Sequence, residues 1–422
     1  MDAYKIHRDI LCIDLKSFFA SVECALRGLD PFNTPLIVAD KGRGGGSIVL
    51  AVTPYLKARG VPSRCRLHEI PKIKDLIIAT PRMRSYVAFS EQITKIYLRY
   101  VAPEDIHIYS IDEAFLDLTA YRKYYQKPLG MIARDILDDI YDTTKIPATC
   151  GIGDTLLLSK LALDLYSKKA SDGIAAMHYE DVETMLWPIQ PLSKMWGIGT
   201  RMEKRLNALG MYKVGDIAQG SKKLLKKHFG VIGEELFYHA HGIDMSIISD
   251  PHGYRHTMKT VGLGQTLFKD YEGKTIPTIL LEMTDEVAEK LRFVKQRART
   301  IHLGIGYSKK VGGGFSRQMT LEQASNDPET LLEAVFSLFL KHYDDAPIRR
   351  VSIRASHLTI DEDFTQIGFF ENTAQKSARK ALWQNIDIIR KRYGKQSVLR
   401  LASLLESGTL KTRAELVGGH RA

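Results

Sequence analysis

The sequence predicts an α+β fold built from several domains, and three observations support this. At about 100–200 residues per domain, the length of 422 residues corresponds to roughly two to four domains. Strand and helix patterns alternate as far as residue 175, and short helices fill residues 180–243. Residues 255–358 then follow a strand and helix order of their own.

The composition is that of an ordinary globular protein, with 44% hydrophobic and 26% charged residues. No run of about 18 apolar residues is present, so we expect no membrane span. The polar N-terminus lacks the apolar core of a signal peptide, so we expect the protein in the cytoplasm. None of the four cysteines belongs to a CxxC pair, so reduced thiols are expected rather than zinc or disulfides.

Positive charge is concentrated toward the C-terminus. The net charge is +11, and residues 251–422 hold 27 Lys plus Arg against 19 Asp plus Glu, a difference of +8. A basic C-terminal half predicts a polyanionic partner, with nucleic acid the foremost candidate.

The first predicted element is a buried strand, because residues 9–13 form a continuous apolar run that ends at Asp14. A helix pattern follows over residues 16–27. Residues 37–39 and 47–52 flank a glycine loop and predict a hairpin. The loop lacks the Gly-Lys-Ser/Thr of a phosphate-binding Walker loop, so we interpret it as a plain turn.

A second hairpin is predicted over residues 105–118, with the polar pair Asp112-Glu113 at its turn. A helix over 129–143, a strand over 148–153 and a helix over 155–167 come next. Farther along, Gly197-Ile198-Gly199 opens a predicted helix over 200–209.

The stretch from 255 to 358 is predicted to fold as βαββαβ, the order of a ferredoxin-like unit. Helices would cover the apolar face of its sheet. The other face would be polar and basic, which suits a phosphate backbone, although an ordinary solvated face is an equal alternative. The residues predicted on that face are Arg350, Arg354, Ser316, Gln318, His302 and Gly304. Beyond residue 361 we expect a polar loop, a helix over 374–393 and a strand-like segment over 397–405.

Three acids sit at the ends of predicted strands, namely Asp14, Asp112 and Glu113. Neighbouring strands in one sheet would bring them together, and carboxylates are the ligands that Mg²⁺ prefers. The alternative is an acid that caps a turn beside two solvated hairpin charges, and spacing alone favours that alternative.

A resemblance changes the balance. Residues 13–23, IDLKSFFASVE, and residues 110–117, SIDEAFLD, closely resemble the two metal-binding motifs of Y-family translesion DNA polymerases. The similarity continues through residues 151–153 and 159–162, the Gly-Ile-Gly hairpin and the βαββαβ stretch, so it covers essentially residues 8–360. The details are most similar to the UmuC-like or DNA polymerase IV-like branch of Gram-positive bacteria.

The resemblance implies a template-directed DNA polymerase that transfers nucleotides with two Mg²⁺ ions, for which Mn²⁺ could substitute, and that bypasses damage with low fidelity. Asp14, Asp112 and Glu113 would be catalytic metal ligands, and the backbone carbonyl of Leu15 would complete one shell. Phe19 matches the steric gate, the ring that excludes a ribose 2′-hydroxyl.

Further roles in nucleotide binding follow from the same resemblance. Phe18 would pack beside the gate, and the backbone amides near Ser17 would contact the triphosphate. The fingers helix of the family often carries Thr, Tyr and Arg where this chain has Ala51, Pro54 and Lys57. Phosphate binding would therefore depend more on Lys57 and Lys168. An extra residue near Lys168-Lys169 leaves open which of these two lysines makes the contact.

By resemblance the chain forms a right hand. The palm is residues 1–30 and 78–175, and the fingers are 31–77. A helical thumb with a helix-hairpin-helix is 176–245, the βαββαβ little finger is 250–360, and 361–422 is a C-terminal extension.

The implied partners are primer-template DNA, a deoxynucleoside triphosphate and, by family habit alone, the sliding clamp. Gly197, Ile198 and Gly199 would hold a DNA phosphate at a helix N-terminus, and Arg350 and Arg354 would contact the backbone. Four lysines on a nearby helix would add to the contact or form a solvated face: Lys222, Lys223, Lys226 and Lys227.

Two other classes remain open from the residues. A polymerase-shaped binding scaffold would not need the three acids. A structure-specific nuclease could combine an acidic metal site with a helix-hairpin-helix, but the Phe18-Phe19 pair and the little-finger pattern favour a polymerase.

Overall fold

The structure is a computed structural model that describes residues 2–249, 258–361 and 373–421. The chain divides into an N-terminal unit, Met1–Arg255 with His420–Ala422, and a C-terminal unit, His256–Gly419. Within the described residues, no helix is both long and apolar enough to cross a membrane.

Two sheets form the frame of the N-terminal unit. Its strands are β1 (Ile10–Leu15), β2 (Leu36–Val38), β3 (Ala51–Val52), β4 (Ile77–Ala79), β5 (Ile106–Ile108), β6 (Glu113–Asp117), β7 (Ala148–Gly153) and β8 (Ile174–Met177). The larger sheet has the order β5-β6-β1-β7-β8, and the smaller has the order β3-β2-β4. β1 is therefore central, and it runs antiparallel to both neighbours.

Ten α-helices belong to the described part of this unit. They are α1 (Phe18–Ala25), α2 (Pro54–Lys57), α3 (Met83–Tyr97), α4 (Arg122–Tyr125), α5 (Leu129–Thr144), α6 (Leu156–Ala162), α7 (Thr200–Asn207), α8 (Val214–Ala218), α9 (Lys222–Phe229) and α10 (Val231–His239). A π-helical turn, Leu163–Ser167, continues α6 directly.

The central position of β1 explains its sequence. Ile10, Leu11, Cys12 and Ile13 are at most 1% exposed, which confirms the strand buried on both faces that the apolar run predicted. α6 lies close against β7, since a Cβ added to Gly151 would come within 2.1 Å of the carbonyl oxygen of Ser159. Glycine at this position therefore allows the close approach of helix and strand.

The C-terminal unit contains β9 (Thr260–Tyr271), α11 (Ile276–Phe293), β10 (Gln296–Tyr307), β11 (Gly314–Ser325), α12 (Pro328–His342) and β12 (Ile348–Ile360). This confirms the predicted βαββαβ order, and the part of the first strand predicted before residue 258 lies outside the described residues. The sheet order is β11-β10-β12-β9, with antiparallel neighbours throughout. β12, the last strand of the unit, therefore lies between β9 and β10, the first two. In the ferredoxin-like order it is the third strand that lies between the first two.

One face of this sheet is apolar and covered by α11 and α12, as predicted. Ile301, Leu303, Val351 and Ile353 are at most 1% exposed and share a core with both helices. The alternate residues point to the other face, where Arg350 and Arg354 are exposed. The pattern of period two therefore correctly assigned the two faces.

The C-terminal extension packs against α11 within the same unit. Its elements are α13 (Thr373–Tyr393), α14 (Leu410–Ala414), β13 (Leu416–Val417) and β14 (His420–Arg421), the last of which belongs to the N-terminal unit. Arg400 donates to both carboxylate oxygens of Asp285 at 2.7 and 3.0 Å. The backbone N–H of Thr409 donates to Glu282 at 2.9 Å.

The strand-like segment predicted over residues 397–405 is wrong. Leu401–Leu404 form a 3₁₀ turn, and the segment is fixed by ion pairs rather than by a strand ladder. Arg421 donates to the Asp40 carboxylate at 3.2 Å, and both residues belong to the N-terminal unit.

Candidate active site

The pairing of β1 with β6 brings the three predicted acids to one end of the larger sheet. Asp14 stands directly opposite Glu113 in the strand register. The backbone N–H of Leu15 donates to the carbonyl oxygen of Asp112 at 2.9 Å, so Asp112 lies beside the end of β1. The predicted meeting of strand ends is therefore present in the fold.

Two lysines neutralise this acidic end. The ammonium of Lys168 lies 2.8 Å from the Asp14 carboxylate, and the ammonium of Lys160 lies 2.7 Å from that of Glu113. Burial raises the pKa values of Asp14 and Glu113, and these lysines oppose the rise. Asp112 instead accepts a hydrogen bond of 2.7 Å from the hydroxyl of Ser110.

The donor set fits a hard divalent cation in its chemistry, because all three side chains offer carboxylate oxygens. In the described part of the chain, however, no group of three His, Cys, Asp or Glu side chains lies close enough together to hold a metal ion. The carboxylates of Asp14 and Glu113 are directed at Lys168 and Lys160 instead.

The two adjacent phenylalanines have different surroundings. Ser17 adopts a left-handed conformation with φ of 51° and turns the chain from β1 into α1. Phe18 is 2% exposed and belongs to the core. Phe19 is half-buried, and its ring stacks on Tyr86 with centroids 4.5 Å apart and planes inclined by 17°. Phe19 therefore keeps one part of its ring accessible while the other part is supported.

Tyr86 is held in turn by a buried carboxylate that the sequence did not reveal. Its hydroxyl donates to Glu23 at 2.8 Å, and Arg82 donates to the same carboxylate at 2.7 and 3.0 Å. Arg27 also donates to Glu23 from just beyond the C-terminal end of α1. Burial alone would raise the pKa of Glu23, but these hydrogen bonds lower it. The partners come from α1 and α3, which is why sequence spacing gave no signal.

The candidate triphosphate contacts lie near the acids. Burial lowers the pKa of Lys57, while the charge of Asp14 opposes this, so Lys57 lies within electrostatic reach of the acidic end. Lys168 directs its ammonium toward Asp14, and no ion pair of Lys169 is found among the described residues. The hydroxyl of Ser17 is buried without a hydrogen-bond partner within the described part of the chain.

Sequence reasoning missed Lys160 and Asp164, which connect the acids to one another. Asp164 contacts Lys160 at 3.0 Å and Lys168 at 2.7 Å. The spacing of four and eight residues along a predicted helix was the signal that could have found them, because residues four apart are neighbours on a helix.

The predicted DNA contacts differ in what they can offer. A Cβ added to Gly197 or Gly199 would meet no atom within 4 Å, so the backbone there is open to a ligand. Ile198 is 4% exposed and anchors the turn in the core, so its side chain is not a surface contact. Of the lysines on α9, Lys222 and Lys226 both pair with Glu234.

Comparison with known proteins agrees with this architecture. The impB/mucB/samB family matches residues 13–164, its C-terminal domain matches 258–369, and the IMS family HHH motif matches 179–211. The putative UV-damage repair protein UvrX of Bacillus subtilis is 41% identical, over 98% of each chain. DNA polymerase IV 2 of the same organism is 35% identical, over 97% of this chain and 98% of its own.

Among solved structures, a Y-family DNA polymerase chimera matches with a TM-score of 0.65 at 23% identity. The match covers 83% of this chain and 99% of that one. The chain belongs to the Y family of DNA polymerases, within the UmuC-like and DNA polymerase IV-like branch of Gram-positive bacteria.

The buried Glu23 predicts a pH-dependent contribution to stability. At neutral pH, Glu23→Gln should lower the free energy of unfolding by about 3 kcal/mol, because it removes a buried charge from its arginine partners. Since the pKa of Glu23 is lowered in the folded state, its stabilisation is complete above the ordinary value of 4.5 and is lost as pH falls through the lowered value. Denaturant unfolding from pH 7 to pH 3 measures this.

The matched control is Glu91→Gln on the exposed side of α3, which should change stability little at any pH. A gap between wild type and Glu23→Gln that stays constant down to pH 3 would contradict the ionised assignment.

Proposed function

We propose that this polymerase extends a DNA primer along a template by low-fidelity, translesion nucleotidyl transfer, with Asp14, Asp112 and Glu113 as its catalytic acids. The observation that carries this assignment is the register of β1 and β6, which sets Asp14 opposite Glu113 with Asp112 alongside. Three carboxylates on adjacent strand ends are a costly arrangement that a purely structural sheet does not need.

The acids would hold two Mg²⁺ ions, for which Mn²⁺ could substitute, and the Leu15 carbonyl would complete one shell. When bound, the ions would activate the primer hydroxyl and stabilise the leaving pyrophosphate. Lys168 would leave Asp14 as the ions bind and would then be available, with Lys57 and the amides near Ser17, to the triphosphate. Lys160 would remain against Glu113 and keep that carboxylate ionised.

Phe19 is the proposed steric gate. Its stacking on the buried Tyr86 supports this role, because a gate must resist displacement by a ribose hydroxyl. Phe18 lies in the core and would support the turn rather than touch the sugar.

DNA would lie against the open glycine backbone at Gly197 and Gly199 and against Arg350 and Arg354. Small side chains predominate around the glycine loop over residues 42–52, so the proposed fingers carry few bulky side chains there. This is consistent with an open site for damaged templates. Contact with the sliding clamp and a place in the cytoplasm belong to the same proposal.

Removing an acid separates catalysis from DNA binding. Asp112→Ala and Glu113→Ala should each slow primer extension by about a thousandfold or more, equal to about 4 kcal/mol of barrier, because each removes a metal ligand. DNA affinity should stay within about threefold, since the proposed DNA contacts lie elsewhere. Single-nucleotide extension and fluorescence anisotropy measure the two quantities.

Asp138→Ala, an exposed acid on α5, is the control and should leave both unchanged. Near-normal extension by either site variant would refute the metal assignment, and strand cleavage without extension by the wild type would favour a nuclease.

The two phenylalanines provide a matched test of the gate. Phe19→Ala should raise ribonucleotide relative to deoxynucleotide incorporation by about a hundredfold or more, because its ring acts only on the difference between the two sugars. Phe18→Ala should instead cost about 3–5 kcal/mol of stability and slow both substrates together. Paired kinetics with a thermal melt distinguishes these outcomes, and the reverse pattern would make Phe18 the gate.

DNA affinity should decrease as salt increases, because the proposed contacts go mainly to phosphates. Arg350→Ala combined with Arg354→Ala should reduce the slope of log affinity against log salt by about 2, or about 1 for each arginine removed. Lys341→Ala on α12, which packs on the other side of the sheet, should leave the slope unchanged. Anisotropy titrations across salt concentrations give the slopes, and an unaltered slope in the arginine variant would exclude this face.

A further inference from the structure

Five side chains form a continuous series of alternating charge behind the proposed catalytic acids. They are Glu113, Lys160, Asp164, Lys168 and Asp14, and successive partners are 2.7, 3.0, 2.7 and 2.8 Å apart. The two outer members are acids of the proposed metal site. Asp164 is the middle member, and it is the carboxylate that both lysines share.

The helical segment that carries the three inner members, Lys160, Asp164 and Lys168, is adapted to align them. Positions four apart on an α-helix overshoot a full turn by about 40°, so Lys160 and Lys168 would diverge by about 80° on a regular helix. The π-helical turn Leu163–Ser167 is wider and reduces this drift. The N–H of Lys168 accordingly bonds to the carbonyl of Leu163, five residues back.

The wide turn is anchored to the sheet of the active site. The hydroxyl of the fully buried Ser167 donates to the carbonyl oxygen of Cys150 on β7 at 2.7 Å, and it also lies 3.1 Å from that of Ala162. This hydrogen bond fixes the position of the turn relative to β7, and β7 pairs with β1, the strand that carries Asp14. Such turns are rare and are frequent at functional sites.

An ordinary helical ion pair does not account for Asp164. Exposed pairs at this spacing contribute little, and they require no particular second partner. Here Lys160 is 7% exposed and each lysine has an acid of the proposed site as its other partner. The hydrogen bonds from Lys168 and Lys160 also lower the pKa of Asp164 against the effect of burial.

We propose that Asp164 is a positioning residue that fixes the ammonium groups of Lys160 and Lys168 at the catalytic acids. It rests on the proposed function, because the lysines matter through the metal site and the incoming triphosphate. When Lys168 leaves Asp14, Asp164 remains as its second anchor and limits how far the ammonium can move. The nucleotide thus meets a cation that is already placed, and less conformational freedom is lost on binding.

Equilibrium binding of a deoxynucleoside triphosphate to the full-length protein tests this without any turnover. A dideoxy-terminated primer on a template, with Ca²⁺ present, allows the nucleotide to bind but not to react. Asp164→Asn should weaken nucleotide binding about tenfold, because one charged anchor of Lys168 is lost. DNA affinity should not change. Asp164→Glu, which retains the charge, should recover part of the loss.

A double-mutant cycle determines whether Asp164 acts through Lys168. Lys168→Met alone should weaken nucleotide binding at least as much, and Asp164→Asn should then add little in that background. Asp172→Asn and Lys123→Met make the same charge changes at exposed positions of the same unit and should behave like the wild type. Thermal melts of all variants identify any that fail to fold. If Asp164→Asn does not fold, nucleotide binding is compared between Asp164→Glu and the wild type instead.

Two results would overturn the proposal: unchanged nucleotide binding in a folded Asp164→Asn variant, or full additivity with Lys168→Met. Failure of the proposed function would look different, because the wild type itself would not extend a primer. A wild type that extends primers beside an unaffected Asp164→Asn would reject the positioning role alone.

Discussion

The antiparallel pairing of β1 with β6 is the constraint on which the N-terminal unit depends. It sets Asp14 opposite Glu113, and like charges at directly opposite positions destabilise a sheet. Burial makes the arrangement more costly, since it raises the pKa values of both carboxylates. The fold offsets the cost with Lys160 and Lys168 from one helix, so the local structure of that helix follows from the charge on the strands.

The sequence was sufficient for the strand framework of the site. A continuous apolar run predicted β1, a strand was predicted over 148–153 where β7 lies, and the polar pair at Asp112 predicted the hairpin that ends at β6. It was insufficient for the support behind the acids. Every residue of α6 is buried, so its apolar residues mark no single face, and the helix over 155–167 was predicted as regular. The contact of Glu23 with Tyr86 joins residues 63 positions apart, and no periodicity reports that.

The C-terminal extension is a second case in which the sequence was insufficient, here for predicting which charges are free to contact a partner. Its basic residues raised the net charge that predicted a polyanionic partner, yet several of them serve the fold. Arg400 binds Asp285, and Lys395 and Arg413 both bind Glu286, all within one unit. Net charge therefore overstated the cationic surface available to DNA. The open sheet face with Arg350 and Arg354 is the more specific indicator, because its charges are exposed on a face that the helices leave uncovered.

The proposed gate, Phe19, depends on the rigidity of the side chains packed behind it. A steric gate discriminates only by the energy needed to move its ring, so its selectivity is limited by what lies behind it. Phe19 stacks on Tyr86, and Tyr86 is fixed by a hydrogen bond to Glu23. Glu23 is held in turn by two arginines, one just before α3 and one just after α1. Truncating a partner of a buried charge costs several kcal/mol, so this support resists displacement. Buried carboxylates thus serve in two ways: at the strand ends they hold the ammonium groups of Lys160 and Lys168 beside the proposed metal site, and behind the proposed gate Glu23 holds an aromatic ring in place.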